Sequence, residues 1–229
     1  SYSVTGVQTC ALPILAVIIH DGIHRMYEKQ EDVFYYLTVG NENYVMPPMP
    51  EQKHIREGIL KGMYKFSASP RTDLKCHAEL LGSGAIMNEV IKAQRLLEEY
   101  GVSADVWSVT SYKELRGEAL EVERWNMLHP GAKPRVPYVT RCFNREGGVV
   151  VAASDYMQLL PDGIHKWVPN GLTSLGTDGF GRSESRESLR DFFEVDARYI
   201  TLAAMSALAR RGRMTADMVQ KAMRELDIS

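Results

Sequence analysis

The stretch ELLGSGAIMNEVIKAQRLLEEYG, residues 79 to 101, decides the fold that we expect. Its first residues, Glu79-Leu80-Leu81, are typical of a buried strand, and Gly82-Ser83-Gly84 form a tight turn after it. Apolar residues then recur at helical spacing, at Ile86, Val90, Ala93 and Leu97. Gly101 is a residue type that commonly ends a helix in the left-handed conformation. A strand, a glycine turn and an amphipathic helix together form the unit from which α/β proteins are built.

The same alternation of strand and helix continues towards the C-terminus. Val149-Val150-Val151-Ala152-Ala153 is apolar without alternation, as in a strand that is covered on both faces. Ser154 or Asp155 is placed to cap a helix after it. The further predicted strands are residues 106–110, 137–141 and 172–175, and the further predicted helices are 118–128, 196–211 and a last one after Thr215. The sequence therefore predicts an α/β three-layer sandwich with a mainly parallel sheet, whose ligands would bind at the carboxyl ends of the strands.

The N-terminal part belongs to a different unit. Residues 16–30 have helical spacing and residues 33–39 are β-branched and aromatic, so they predict a helix followed by a strand. Three prolines at 47, 48 and 50 remove backbone donors, and the residues after them are short and mixed. The predicted organisation is a non-native lead at 1–14, the end of one α/β domain at 15–45, a linker at 46–73 and a second domain at 74–229.

Composition excludes several classes of partner. The 229 residues are 45% hydrophobic and 24% charged, with a formal net charge of -2, so we expect neither nucleic acid nor an anionic membrane as a partner. The apolar run at 11–19 is too short to span a bilayer. Cys10, Cys76 and Cys142 are odd in number and contain no CxxC pair. This use of cysteine favours a reducing, cytoplasmic location.

Two motifs have the spacing of binding sites but lack further parts. Gly82-Ser83-Gly84 could bring helix amides to a phosphate, yet Met87 stands where the third glycine of a dinucleotide fingerprint belongs. A structural turn is the favoured interpretation, with dinucleotide or other anion binding as alternatives. His20 and His24 have the spacing of a metal pair, but Gly22 weakens the helix and no third ligand is evident. A pair of half-buried or exposed histidines is favoured there.

Nucleophilic catalysis has little support. Ser154-Asp155 with His165 or His129 could form a hydrolase set, but the sequence has no nucleophile elbow around the serine. Cys76-His77 and Cys142 are likewise without a surrounding motif. We expect these cysteines to be free and buried.

A glycine-rich loop follows the last predicted strand, at Gly176-Thr177-Asp178-Gly179-Phe180-Gly181. Its glycines permit positive φ, Asp178 can hydrogen-bond within the turn, and Phe180 has the look of a buried residue. We expect Ser183 to cap the helix that follows. Acidic residues in that first turn would repel a phosphate. A structural turn is the favoured interpretation, and a contact surface to another subunit or domain and a phosphate cradle are the alternatives.

Several blocks of sequence resemble a known family in order and spacing. They are Phe34-Tyr35-Tyr36-Leu37-Thr38, Asn41-Glu42-Asn43-Tyr44, Met46-Pro47, Met49-Pro50-Glu51, Leu80-Leu81-Gly82-Ser83-Gly84, Trp107-Ser108-Val109-Thr110-Ser111, Glu123-Arg124-Trp125-Asn126-Met127-Leu128-His129-Pro130, Ser154-Asp155-Tyr156-Met157 and the loop at 176–181. Together they resemble the homodimeric pyruvate dehydrogenase, the thiamine-diphosphate-dependent first component of the pyruvate dehydrogenase complex. Val45 and residues 71–77 depart from the family's pattern.

The resemblance implies a longer chain of three α/β domains, of which this sequence would hold the end of the pyrimidine-binding domain and a C-terminal domain of transketolase type. Such enzymes decarboxylate pyruvate on thiamine diphosphate and pass the acetyl group to a lipoyl group of a dihydrolipoyl acetyltransferase. The expected assembly is a cytoplasmic homodimer. In this domain, the resemblance implies a role in assembly.

The coenzyme's own residues are expected elsewhere. In the superfamily, Mg²⁺ and the diphosphate are held by a Gly-Asp-Gly motif followed by an asparagine pair. Thr177-Asp178-Gly179 imitates only the first half, and no asparagine follows Asn170. The catalytic glutamate and histidines belong to family segments before Ala16. We therefore assign no catalytic, cofactor-binding or metal-binding residue, and expect the chain to bind neither thiamine diphosphate nor Mg²⁺ and to be inactive alone. The alternatives are an assembly module without catalysis and a transketolase-like enzyme for another keto substrate.

Overall fold

The structure is a computed structural model that describes residues 3–8, 12–40, 44–45, 47–143 and 148–228. Cys10, Met46 and residues 41–43 of the family resemblance lie outside the described residues. The first half of the chain forms β1 (Ser3–Gln8), α1 (Leu12–Ile23), a π-helical segment (His24–Glu28), β2 (Val33–Thr38), α2 (Ile55–Lys61), β3 (Met63–Ser67), β4 (Cys76–Gly82), a 3₁₀ turn (Gly84–Ile86), α3 (Met87–Glu99) and β5 (Val102–Val109).

The second half alternates short helices with the last two strands and then ends in longer helices. Its elements are α4 (Tyr112–Leu128), α5 (Tyr138–Cys142), β6 (Val149–Ala153), α6 (Leu159–Asp162), a 3₁₀ turn (His165–Trp167), β7 (Leu172–Leu175), α7 (Arg186–Phe192), α8 (Ala197–Arg210) and α9 (Ala216–Glu225). Within the described residues, no helix is both long and apolar enough to cross a membrane.

The main sheet has five strands in the order β3-β5-β4-β6-β7. β3 runs antiparallel to β5, whereas β4 pairs in parallel with both β5 and β6, and β6 pairs in parallel with β7. From the central strand β4, the chain first moves to β5 on one side and then returns to β6 on the other. The order of the strands therefore reverses between β4 and β6.

Helices cover both faces of this sheet, so the predicted three-layer α/β sandwich is confirmed. Alternate residues of β4 separate the two cores: Leu80 packs in one cluster with α3 and α8, and Leu81 packs in the other with α4 and α5. The predicted helical stripe of α3 is buried as expected, with Val90, Ala93 and Leu97 all inaccessible to solvent. Packing against the sheet is what stabilises this helix.

The N-terminal residues form a small β-α-β unit. β1 and β2 pair in parallel, and Ile14, Val17 and Ile18 of α1 pack with Ile59 and Tyr64 in a third cluster. The predicted helix and strand at 16–39 are confirmed. Residues 3–8 form a strand, but a strand does not show whether these residues are native. The non-native lead at 1–14 and the bounds of the domains therefore stay predictions.

Two predictions of secondary structure need correction. Residues 137–141 form no strand: Tyr138–Cys142 is the helix α5, which turns Val139 into the second core while the Tyr138 hydroxyl donates to the Met63 carbonyl oxygen at 2.9 Å. In addition, no sequence pattern predicts α2 and β3, which lie within the predicted linker at 46–73. β3 is an edge strand that pairs only with β5 among the described strands. Its burial does not alternate along the strand, because its first two residues are buried and the next three are half-buried.

Two predicted helix caps also differ from the structure. The helix after β6 begins only at Leu159, and Ser154 instead accepts a hydrogen bond from the Tyr156 amide at 3.1 Å. Ser185, rather than Ser183, caps α7 by accepting from the Ser188 amide at 3.2 Å. Asp196 and Thr215 cap α8 and α9, so the start of each of the last two helices is as predicted.

Candidate functional site

A pocket of about 230 Å³ opens at the carboxyl edge of the sheet. Residues that follow three strands contribute to it: Ala85 after β4, Asp155 after β6 and Thr177 after β7. Its remaining walls come from Ile86, Tyr44, α7 and the residues on either side of that helix. This is the edge at which the sequence predicts that ligands would bind.

The glycine-rich loop forms one side of the pocket and is fixed by its backbone. A side-chain carbon at Gly176 would lie 2.5 Å from the Tyr156 carbonyl oxygen, so only glycine lets β7 end against the loop after β6. The Thr177 amide donates to that same oxygen at 2.9 Å, and the Thr177 hydroxyl donates to the Asp155 carbonyl oxygen at 2.7 Å. Gly179 has a φ of 90°. These contacts support the favoured interpretation of the loop as a shaped turn.

The sequence context of Phe180 in this loop predicts a buried side chain, and this prediction is wrong. Its side chain is 97% exposed rather than buried. Exposed apolar side chains also occur at Tyr156, Met157 and Leu159, which follow β6, and at Phe192 in α7. The position of Phe180 agrees with the alternative in which this loop contacts another subunit or domain.

Three arginines that sequence analysis missed line the pocket, namely Arg182, Arg186 and Arg190. Arg190 donates to Glu89 at 3.2 Å, and this carboxylate also accepts from the Ala197 amide at 3.2 Å. The Arg182 guanidinium lies 3.9 Å from the centre of the Phe192 ring. The missed signal was the spacing of four between Arg186 and Arg190, which places both side chains on one side of α7, whereas Arg182 lies before the helix begins.

A second cluster of polar side chains lies on one face of β4 and β5, the face that bears the second core. Buried His77, Glu79 and Asp105 have ligand atoms within 4.8 Å of one another, a geometry that could hold a metal ion. Each of them already has a protein partner. His77 Nε2 lies 3.2 Å from Glu79, the Trp107 indole donates to Glu79 at 2.7 Å, and the Lys65 ammonium donates to Asp105 at 2.5 Å. The positive charge of the Lys65 ammonium neutralises the Asp105 carboxylate, as a metal cation would. We therefore interpret the cluster as structural.

The structure does not bring together the predicted nucleophilic sets. Ser154 is fully buried and accepts a hydrogen bond from the Ser83 hydroxyl at 3.1 Å. His129 stacks on Trp125, with its Nδ1 2.8 Å from the Trp125 carbonyl oxygen. His165 lies in the 3₁₀ turn before β7. Neither histidine is hydrogen-bonded to Ser154 in any contact that the structure describes.

The remaining candidates are local features. His24 lies 2.8 Å from Glu28 and begins the π-helical segment, which changes the helical register after His20. Neither histidine belongs to a metal-capable group among the described residues. Cys76 and Cys142 are free but only half-buried, which corrects the expectation that they are buried. Burial of Cys142 raises the pKa of its thiol to about 11, so the reactive thiolate is scarce at neutral pH.

The residues present do not fit thiamine diphosphate with its Mg²⁺. Asp178 is the carboxylate of the partial motif, and its Oδ2 accepts from the Gln158 amide at 3.4 Å. Mg²⁺ in proteins takes several oxygen ligands in an octahedral arrangement. Asp178 is not among the residues that line the pocket, where Asp155 supplies a carboxylate and the described lining includes no asparagine. That the chain binds no coenzyme stays a prediction.

The fold and its carboxyl-edge loops define the class as a C-terminal domain of transketolase type. Residues 62–196 match the family model described as transketolase-like TK C-terminal domain, and residues 7–47 match that of the pyruvate dehydrogenase E1 component middle domain. The chain belongs to the family of transketolase-like C-terminal domains, in its branch of pyruvate dehydrogenase E1 components.

Curated relatives support this branch. The chain is 50% identical over 216 residues to a pyruvate dehydrogenase E1 component of Pseudomonas aeruginosa, and 48% identical over 217 residues to one of Escherichia coli K12. Each match covers 93% of this chain and 24% of the relative. The chain thus spans about a quarter of the length of these relatives.

Solved structures show the same fold. A transketolase of Pichia stipitis in complex with xylulose 5-phosphate superposes with a TM-score of 0.62 at 13% identity, over 92% of this chain and 26% of that one. A transketolase of Campylobacter jejuni gives a TM-score of 0.57 at 11% identity, over 89% of this chain and 26% of that one. At such identities the likeness shows the fold alone.

Proposed function

We propose that this chain is the C-terminal part of a pyruvate dehydrogenase E1 component, and that its role there is assembly. The complete enzyme would decarboxylate pyruvate on thiamine diphosphate with Mg²⁺ and transfer the acetyl group to a lipoyl group of its dihydrolipoyl acetyltransferase partner. It would act as a cytoplasmic homodimer. Identity of 50% to the Pseudomonas aeruginosa relative supports this activity for the whole enzyme.

The apolar surface of the N-terminal unit is the observation that carries the assembly role. Phe34 and Tyr36 alternate along β2 with the packed Tyr35 and Leu37, and are 47% and 62% exposed. Parallel strands are normally covered on both faces. An uncovered face with large apolar side chains is typical of a surface that another domain or subunit buries.

The coenzyme is proposed to bind elsewhere in the complete enzyme. When bound there, it would supply the carbanion that attacks pyruvate and stabilise the electrons left by decarboxylation. In this chain, the described residues offer no matching set of oxygen ligands at the partial motif around Asp178. Its proposed contribution is to hold the domains and subunits that carry the site.

The experiment is an assay of the 229-residue chain with thiamine diphosphate, Mg²⁺ and pyruvate, using ferricyanide as electron acceptor. We expect no turnover and no stoichiometric coenzyme binding. As a matched comparison, the Pseudomonas aeruginosa relative is truncated to remove the region that matches this chain. We expect the truncated relative to be inactive alone and to regain activity when the chain is added. Turnover by the isolated chain, or full activity of the truncated relative alone, would refute the assembly role.

A further inference from the structure

The helix α4 buries one side and leaves the other side open to solvent. Tyr112, Leu115 and Ala119 of the inner side are buried. The outer side is a stripe with a spacing of four, which places side chains next to one another on a helix. We call it the α4 stripe, and it consists of Arg116, Leu120, Arg124 and Leu128, all of them exposed. The solvent side of a helix usually carries polar and charged residues, so two leucines beside the arginines are unusual there.

The basic loop, residues 129–137, continues this surface from the end of α4 to the start of α5. Specific contacts fix it, although residues 127–136 are all exposed. The Asn126 side chain donates to the Arg135 carbonyl oxygen at 2.9 Å and accepts from the Arg135 amide at 2.8 Å. The Arg135 guanidinium lies 3.8 Å from the centre of the Trp125 ring, on which His129 also stacks. A surface that is ordered in advance binds a partner at a lower entropic cost.

The α4 stripe and the basic loop carry an excess of positive charge. From Arg124 to Arg141 the sequence contains four lysines and arginines and no carboxylate. Arg141 lies 4.0 Å from Glu118. Among the residues that the structure describes, Arg116 and Arg124 form no ion pair with a carboxylate. Glu121 on the neighbouring side of α4 is exposed as well, but it balances only one of these charges. The surface therefore attracts a partner with negative charge.

Exposed apolar side chains lie among these cations. Leu120 and Leu128 of the α4 stripe are 40% and 54% exposed, and Met127 next to them in sequence is 70% exposed. Val136 of the basic loop is 49% exposed. A nucleic-acid backbone would match the charge, but it offers no apolar side chains to cover these residues. An acidic protein segment with one apolar side offers both, because such segments dock through apolar residues at helical spacing.

We infer that the α4 stripe and the basic loop form a docking surface for an acidic amphipathic segment of a partner protein. Carboxylates of that segment pair with Arg116 and Arg124. Its apolar side chains lie against Leu120 and Leu128. This docking uses no residue of β2 and needs no coenzyme, so its failure would leave the proposed role in assembly standing.

Fluorescence anisotropy of a dye-labelled synthetic peptide, titrated with the full chain, tests the inference. The probe has leucine and glutamate at helical spacing over about 15 residues, which is long enough to form a helix once bound. One comparison peptide has serine in place of every leucine, and the other has glutamine in place of every glutamate. We expect saturable binding of the probe, and binding at least about fivefold weaker for each comparison peptide. Added salt should weaken the binding of the probe, because the charges are exposed.

Two double variants test the residues of the α4 stripe. Arg116→Gln with Arg124→Gln should weaken binding of the probe by about fivefold or more, and so should Leu120→Ser with Leu128→Ser. All four side chains are exposed, so the fold is expected to persist, as circular dichroism will verify. The matched control is Arg56→Gln with Arg224→Gln, which removes two exposed helical arginines on α2 and α9 and changes the net charge equally. It should leave the affinity unchanged.

The inference is overturned if the probe does not saturate by about 1 mM, or if the control pair weakens binding as much as the pair on α4 does. Sedimentation of the chain alone tests for a second copy as the occupant. A dimer that the substitutions at Arg116 and Arg124 dissociate would assign this surface to self-association and would overturn the inference. Binding to phosphatidylglycerol vesicles that the same substitutions abolish, without binding of the probe, would assign it to a membrane and would also overturn it.

Discussion

Asp105 shows how one buried side chain depends on neighbours from distant parts of the chain. Its two carboxylate oxygens accept hydrogen bonds from the Lys65 ammonium at 2.5 Å and from the Ser69 amide at 2.9 Å. Burial alone would raise the pKa of this carboxyl group, but Lys65, Ser69 and nearby His77 together lower it below its usual value. The ionised form of Asp105 therefore stabilises the folded state.

Replacing Asp105 by Asn should reduce the free energy of unfolding at pH 7 by about 1.5–3 kcal/mol, as for hydrogen bonds to a charged group. The pKa in the folded state is lower than the unfolded value of about 3.9, so the contribution is complete well above pH 4 and is lost as the pH falls through the folded pKa. The difference between the two proteins should shrink on acidification. Urea unfolding between pH 7 and about pH 3 measures it.

Asp32→Asn is the control, because Asp32 is exposed. It should change stability little at either pH. A difference between wild type and Asp105→Asn that stays constant across this pH range would contradict the role assigned to the carboxylate.

Among the secondary-structure elements, α7 shows what local signals can and cannot predict. Either Ser183 or Ser185 could cap a helix, because both are hydroxyl residues ahead of a charged run. The structure uses Ser185, which has an extended backbone with ψ of 152°. Starting the helix there brings Arg190 to Glu89, a contact with a residue 101 positions away. Tertiary packing thus selects between two caps of similar propensity.

Ser185→Ala should weaken the start of α7 by about 0.5–2 kcal/mol, because the Ser188 amide loses its acceptor. Faster hydrogen exchange of the amides in Arg186–Phe192 is the expected result. Ser183→Ala is a matched control, because it also removes a serine hydroxyl, two residues before the cap. It should leave the hydrogen exchange of these amides unchanged. Equal effects of the two substitutions would show that the cap is wrongly assigned.

The molecule as a whole divides into a packed C-terminal sandwich and a small N-terminal unit with one uncovered face. The sandwich buries its apolar residues in one core on each side of the sheet. In the N-terminal unit, by contrast, Leu12 and Tyr27 are 79% and 77% exposed, in addition to the outward side chains of β2. Such a surface favours association with further protein.

Replacing Phe34 and Tyr36 together by Ser should lower the binding of an apolar fluorescent dye to the chain. The free energy of unfolding should change by less than about 1 kcal/mol, because both side chains are largely exposed. Dye fluorescence and urea unfolding are the two measurements. Val45→Ser serves as the control for a single apolar residue, 93% exposed, outside β2. Dye binding that is unaffected by the double substitution would show that this face is no docking surface.

Sequence patterns by themselves determined the alternation of strands and helices and most of the core. The run at Val149–Ala153 is apolar throughout because both faces of β6 are covered, and the stripe of α3 repeats with a period of 3.6 because only one side of that helix faces the core. Only the tertiary structure decided that β3 joins the sheet, that Phe180 is exposed, and that Arg182 and Arg186 line one pocket with residues that follow β4 and β6. These arrangements depend on strand order and on contacts between residues far apart in the chain. Local periodicity in the sequence contains no information about either.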